Sequence, residues 1–130
     1  MDRQERTPDE LRRYQVADTI FEQLGGTSRL NLMIGAKFFT ALTTGDTPHG
    51  GASFRFPRIK SELLGWVNYF RVVRTFRGEY AIRFTYVHGS GCDVKLKKAG
   101  VHAEDLIRIF EGYTGLTLTM PKIYRVERGR

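Results

Sequence analysis

Residues 68–88, NYFRVVRTFRGEYAIRFTYVH, decide the fold. They hold two runs rich in aromatic and β-branched residues, 68–76 and 79–88, interrupted at Arg77-Gly78. Such residues suit the pleated strand and a short glycine-containing break suits a hairpin turn, so the two runs are expected to pair antiparallel. Downstream, His88-Gly89-Ser90-Gly91 marks a second tight connection, and residues 92–98 alternate Val94 and Leu96 against Lys95 and Lys97. That alternation predicts a third strand of a meander. Upstream, residues 53–57 alternate Phe54 and Phe56 with Ser53 and Arg55 and end at Pro57, which reads as a short strand terminated by proline.

Further out, the signals change. Thr7-Pro8-Asp9-Glu10 is a helix start: threonine can cap, proline suits the first helical position and Glu10 can complete a capping box. Apolar residues then recur at helical spacing until Gly25-Gly26. Between Arg29 and Leu42, Leu30, Leu32, Ile34 and Phe38-Phe39 predict a strand bent at Gly35. Residues 43–52 read as a mobile loop and 58–66 as a connector with a turn of helix, anchored by Trp66. After Gly100, Ala103, Leu106, Ile107, Phe110 and Tyr113 share one helical face, and Gly115 ends that helix. The expected architecture is α+β in a single domain, 1–130: an N-terminal helix, an antiparallel meander of four to five strands, and a C-terminal helix packed on one sheet face. Residues 1–6 read as a flexible start and 122–130 as a charged tail that includes a short strand at 123–126.

Because side chains alternate across a strand, each strand divides into two faces. One collects Phe54, Phe56, Phe70, Val72, Phe76, Tyr80, Ile82, Phe84, Tyr86, Val94 and Leu96 and is the expected core face. The other collects Arg55, Tyr69, Arg71, Val73, Thr75, Ala81, Arg83, Thr85, Lys95 and Lys97. The net charge of +7 is concentrated in the central segment that contains these strands: between Ser53 and Lys98 stand ten Lys or Arg against three acids, while the rest of the chain is balanced. Cations on an open sheet face with an aromatic among them suit a nucleic-acid strand, phosphates meeting Arg and Lys and a base stacking on Tyr69. A solvated face that discourages edge aggregation is the plain alternative.

Other classes find little support. The single cysteine, Cys92, cannot form an intrachain disulfide. The charged N-terminus lacks a signal sequence and no stretch reaches about 20 apolar residues, so a cytoplasmic protein outside the membrane is expected. His88, Cys92 and Asp93 are too few for a zinc site, and His49 and His102 have no partner at useful spacing. Glu104 and Asp105 point apart on a helix, and no glycine cluster fits a nucleotide-binding fingerprint. No cofactor, metal or catalytic residue is expected.

Leu24-Gly25-Gly26, Gly35-Ala36-Lys37-Phe38-Phe39, Ser53-Phe54-Arg55-Phe56-Pro57-Arg58, Asn68-Tyr69, the run from Gly100 to Phe110 and Thr114-Gly115-Leu116 together resemble a family of small proteins of bacteriophages, prophages and plasmids. The resemblance spans roughly Ala17 to Thr119 and implies a phage or mobile-element origin and no enzyme assignment. Residues 58–67 and the basic hairpin depart from that pattern. The resemblance singles out Lys37, exposed beside a Gly35 that permits close backbone approach. In outline, a meander followed by a helix also resembles the fold of single-stranded-DNA-binding transcriptional coactivators. That analogy implies a homodimer, since one helix over the sheet leaves apolar surface to bury. The expected function is binding of single-stranded DNA or RNA, in preference to duplex, through Arg55, Tyr69, Arg71, Arg83, Lys95, Lys97 and Lys37. The alternative is a module that binds or inhibits a host protein.

Overall fold

The Thr7 cap forms as the sequence requires. Its Oγ1 accepts from the Glu10 N–H at 3.1 Å, and Glu10 Oε1 accepts from the Thr7 N–H at 3.0 Å, satisfying two donors of the first turn. In the computed structural model, which describes residues 7–119, the helix so started is α1 (Pro8–Gln23). It is followed by α2 (Thr27–Ile34), β1 (Lys37–Leu42), β2 (Gly51–Ser61), β3 (Gly65–Arg74), β4 (Tyr80–His88) and β5 (Gly91–Val101). A 3-10 turn (Ala103–Asp105) then leads into α3 (Leu106–Thr114). The five strands of the described residues make one open antiparallel sheet in the order β1-β2-β3-β4-β5, the α+β meander expected.

The helices cover one face of the sheet. From α1 come Val16, Ala17, Ile20 and Phe21, from α2 Leu30 and Ile34, and from α3 Leu106, Ile109 and Phe110; all join Phe54, Phe56, Phe70, Val72, Ile82 and Phe84 in one buried cluster. Phe110 is its hub. Its ring centroid lies 6.0 Å from that of Phe54, 5.6 Å from Phe56, 5.0 Å from Phe70 and 5.9 Å from Phe84, in the tilted and edge-on arrangements aromatic quadrupoles favour. Gly115 closes α3 in the left-handed conformation, φ 80°. Because α1 and α2 share this face, the apolar surface that a lone helix would leave bare is covered.

Several expectations fail for physical reasons. Residues 29–42 are not one bent strand but α2 followed by β1. Alternation would bury Leu32 with Leu30 and Ile34, yet Leu32 is 72% exposed, because Leu30 and Ile34 lie four apart on a helix. Gly35 is that helix's left-handed cap, φ 71°, and the Pro57 ring comes within 3.2 Å of where its Cβ would stand. Pro57 does not end β2. The strand bulges between Arg55 and Ile59 and continues to Ser61, so the supposed connector at 58–66 is strand, turn and strand. Phe76, assigned to the core, is 76% exposed in the β3–β4 turn, and Val94, also assigned there, is 47% exposed. Gly100 lies within β5 and does not precede a helix directly. The loop at 43–50 is tied to α1: the Arg13 guanidinium donates to Thr43 O at 2.6 Å and Pro48 O at 3.2 Å, and Thr47 is buried. The assignments for 1–6, for 122–130 and for a strand at 123–126 lie outside the described residues.

Candidate functional site

Strand register decides which side chains stand side by side, because directly opposed residues of neighbouring strands project from the same face. On the face away from the helices, two such rows cross the sheet. One runs Thr40, Ser53, Arg71, Arg83, Lys97, and the other Lys37, Arg55, Tyr69, Thr85, Val94. Strands sit about 4.8 Å apart, so Arg71, Arg83 and Lys97 place three cations in a line about 10 Å long. Like charges directly opposed are destabilising, each pair by about 0.2–1 kcal/mol.

Among the described residues the row has one ion pair. Asp46 Oδ2 lies 3.8 Å from an Arg71 terminal nitrogen. A hydrogen bond from the Thr44 hydroxyl, then one from its own backbone N–H and lastly the Arg71 charge hold the Asp46 carboxyl below the ordinary carboxylate range. Arg71 Nε, Arg83 Nε and Thr85 Oγ1 are buried without a hydrogen-bond partner among the described residues, and Thr85 as a whole is 3% exposed. Beside the row lies a groove of about 530 Å³ lined by Val73, Ala81 and Ala99 and by Arg71, Arg83, Lys97 and Lys98.

Six of the seven residues singled out from the sequence therefore meet on two neighbouring rows: Lys37, Arg55, Tyr69, Arg71, Arg83 and Lys97. Lys95 does not. Phe84 pairs with Leu96 but Thr85 with Val94, so Lys95 is the extra residue of a bulge. That bulge turns Val94 to the open face and lets Lys95 Nζ reach to 4.0 Å from where a Cβ on Gly65 would stand, two strands away.

The continuation of β2 past Pro57 hid other residues. Beyond the Pro57 bulge, Ile59 pairs with Val67 and packs inward, so Lys60 and Trp66, the next pair, turn outward. The Arg58 guanidinium lies 5.1 Å and Lys60 Nζ 6.0 Å from the Trp66 ring centroid, and an Arg58 terminal nitrogen donates to Tyr86 Oη at 3.3 Å. Tyr86 in turn stands 6.5 Å from Trp66 and 5.3 Å from His88, centroid to centroid. Phe38 is 71% exposed, whereas its neighbour Phe39 packs on Phe21 at 5.5 Å. A doublet of identical rings gave no sign of which would face out, and a bulge whose length depends on tertiary pairing leaves no periodic trace.

His88 Nε2 lies 3.3 Å from Asp93 Oδ2 and its Nδ1 3.3 Å from Ser90 Oγ, all within the β4–β5 hairpin, and Cys92 is exposed. Among the described residues no three His, Cys, Asp or Glu side chains could share a metal ion, and no helix is long and apolar enough to cross a membrane.

Fold and surface together define an α+β protein with helices on one face of an antiparallel meander and a cationic row with flanking rings on the other. Comparison with protein-family models, with curated proteins and with solved structures finds no match.

Proposed function

We propose that the helix-free sheet face binds single-stranded nucleic acid, chiefly through its phosphates, without catalysing a reaction. The observation that carries this is the line of Arg71, Arg83 and Lys97 across three strands, with Lys37 and Arg55 on the next row and one carboxylate in reach. A polyanion threaded along such a line neutralises a repulsion that the fold otherwise sustains, and Tyr69 between Arg55 and Thr85 offers a ring for a base. An open, twisted sheet face admits a flexible strand more readily than a stiff duplex. A mobile-element origin and a bacterial cytoplasmic setting belong to the same reading, on the residues that resemble the phage and plasmid family.

The test is a fluorescence titration of labelled single-stranded DNA and RNA at several salt concentrations. Five cations on phosphates give a slope of log K against log salt of about −3.5, with little dependence on base sequence. No association at low salt ends the idea. Binding that survives nuclease treatment and follows an acidic host protein instead would favour the protein-interaction alternative.

A further inference from the structure

Where β2 bulges at Pro57, the sheet opens into a cleft of about 590 Å³, within the range of small-ligand sites. Three cations line it, Lys37, Arg55 and Arg58, together with the rings of Phe38, Tyr86 and His88; among the described residues no carboxylate does. Arg58 is held in place from two sides, over the Trp66 ring and against Tyr86 Oη, so little freedom is lost when it meets an anion. Phe38 adds a second, independent sign. Its φ is 58°, a left-handed conformation that bulky residues rarely adopt, and Thr40 Oγ1 secures it by donating to Phe38 O at 3.0 Å. The strain presents an apolar ring to solvent beside the cations, the opposite of what packing alone favours.

We propose that this cleft takes one nucleotide, its phosphate among Lys37, Arg55 and Arg58 and its base stacked on Phe38. The inference deepens the sheet-face reading and rests on it in one respect: Lys37 and Arg55 belong to both the cleft and the row beside Tyr69. A strand lying along the Arg71–Arg83–Lys97 line thus finds, one row away, a place for an unstacked base. A cation cluster alone would hold any anion; the exposed ring beside it selects one that carries a flat aromatic group.

Two measurements on the full chain test the cleft separately from the sheet face. In the first, a single strand of about ten nucleotides is titrated against Phe38→Gly, Arg58→Ala and Arg83→Gln. Glycine adopts the φ of residue 38 freely, so Phe38→Gly removes the ring without burdening the fold. The cleft predicts a loss of roughly 5- to 100-fold in each of the first two variants. Wild-type affinity in both, with Arg83→Gln weakened, overturns the cleft and leaves the sheet-face reading standing. In the second, a nucleoside monophosphate is titrated while the emission of Trp66, the single tryptophan, is followed. A saturable change in the wild type and in Arg83→Gln, absent in Phe38→Gly, supports the cleft even if no oligonucleotide binds, in which case the sheet-face reading alone falls. The same change at the same concentration with inorganic phosphate, or equal competition by polyglutamate, overturns it.

Discussion

Arg83 is flanked on both sides by cations, Arg71 on β3 and Lys97 on β5, and its Nε is buried without a partner among the described residues. Neutralising it relieves two repulsions at once, so Arg83→Gln is expected to keep or slightly raise stability, by up to about 1 kcal/mol per relieved pair, read as an unchanged or raised thermal midpoint in a melt at low salt. In the oligonucleotide titration the same variant lowers the magnitude of the salt slope by about 0.7, the share of one phosphate contact. A variant less stable than the wild type and unchanged in binding would count against the row as a binding device. Tyr80 makes a contrasting point. Its hydroxyl donates to Gln23 Oε1 at 2.8 Å, and burial pushes its ionisation above the ordinary value of 10.0. Because the folded state favours the neutral phenol, the stability it contributes is present below about pH 10 and is lost as pH rises through the raised folded value. Tyr80→Phe is expected to cost about 1 kcal/mol at neutral pH and to flatten the alkaline loss in urea melts across that window. Most of these residues could be placed from sequence, since strand alternation assigned Arg55, Tyr69, Arg71, Arg83 and Lys97 to one face. Lys95 and Val94 could not, because a bulge there resets the alternation, and Trp66 could not, because residues 58–66 were read as a connector and not as strand.

At the scale of elements, the β2–β3 pair depends on how closely its backbones approach at Gly51. A Cβ there would stand 2.5 Å from Val72 O and 3.1 Å from Val73 Cα, both main-chain atoms that cannot turn aside. Gly51→Ala is therefore expected to destabilise by about 1–3 kcal/mol, read as a lowered urea midpoint, by prying apart the strands that carry Ser53 and Arg71. The hairpin at 68–88 was legible because propensity, alternation and turn chemistry agree there. Residues 29–42 were misread because Leu30, Leu32 and Ile34 fit both a strand and one flank of a helix, and the decision falls to Gly26 and Gly35 as caps and to burial of Leu30 against the sheet. The continuation of β2 past Pro57 was hidden for a different reason. Proline is tolerated where the bulge leaves it outside the ladder, a circumstance fixed by the partner strand.

Over the whole molecule, six buried phenylalanines and three helices converge on one face, and Phe110 touches four of the other rings. Phe110→Ala is expected to lower stability by about 3–5 kcal/mol, a large share of what a domain of this size holds, measured by urea unfolding. The division of labour was visible in the chain as a concentration of charge in its central segment, whereas the second apolar helix was not. Every strand lies beside its neighbour in sequence, so the pairing contacts of the sheet are local along the chain and no long excursion must be closed before a hydrogen-bonded ladder begins. Refolding after a denaturant jump should accordingly finish within milliseconds to a second, zipping one hairpin onto the next.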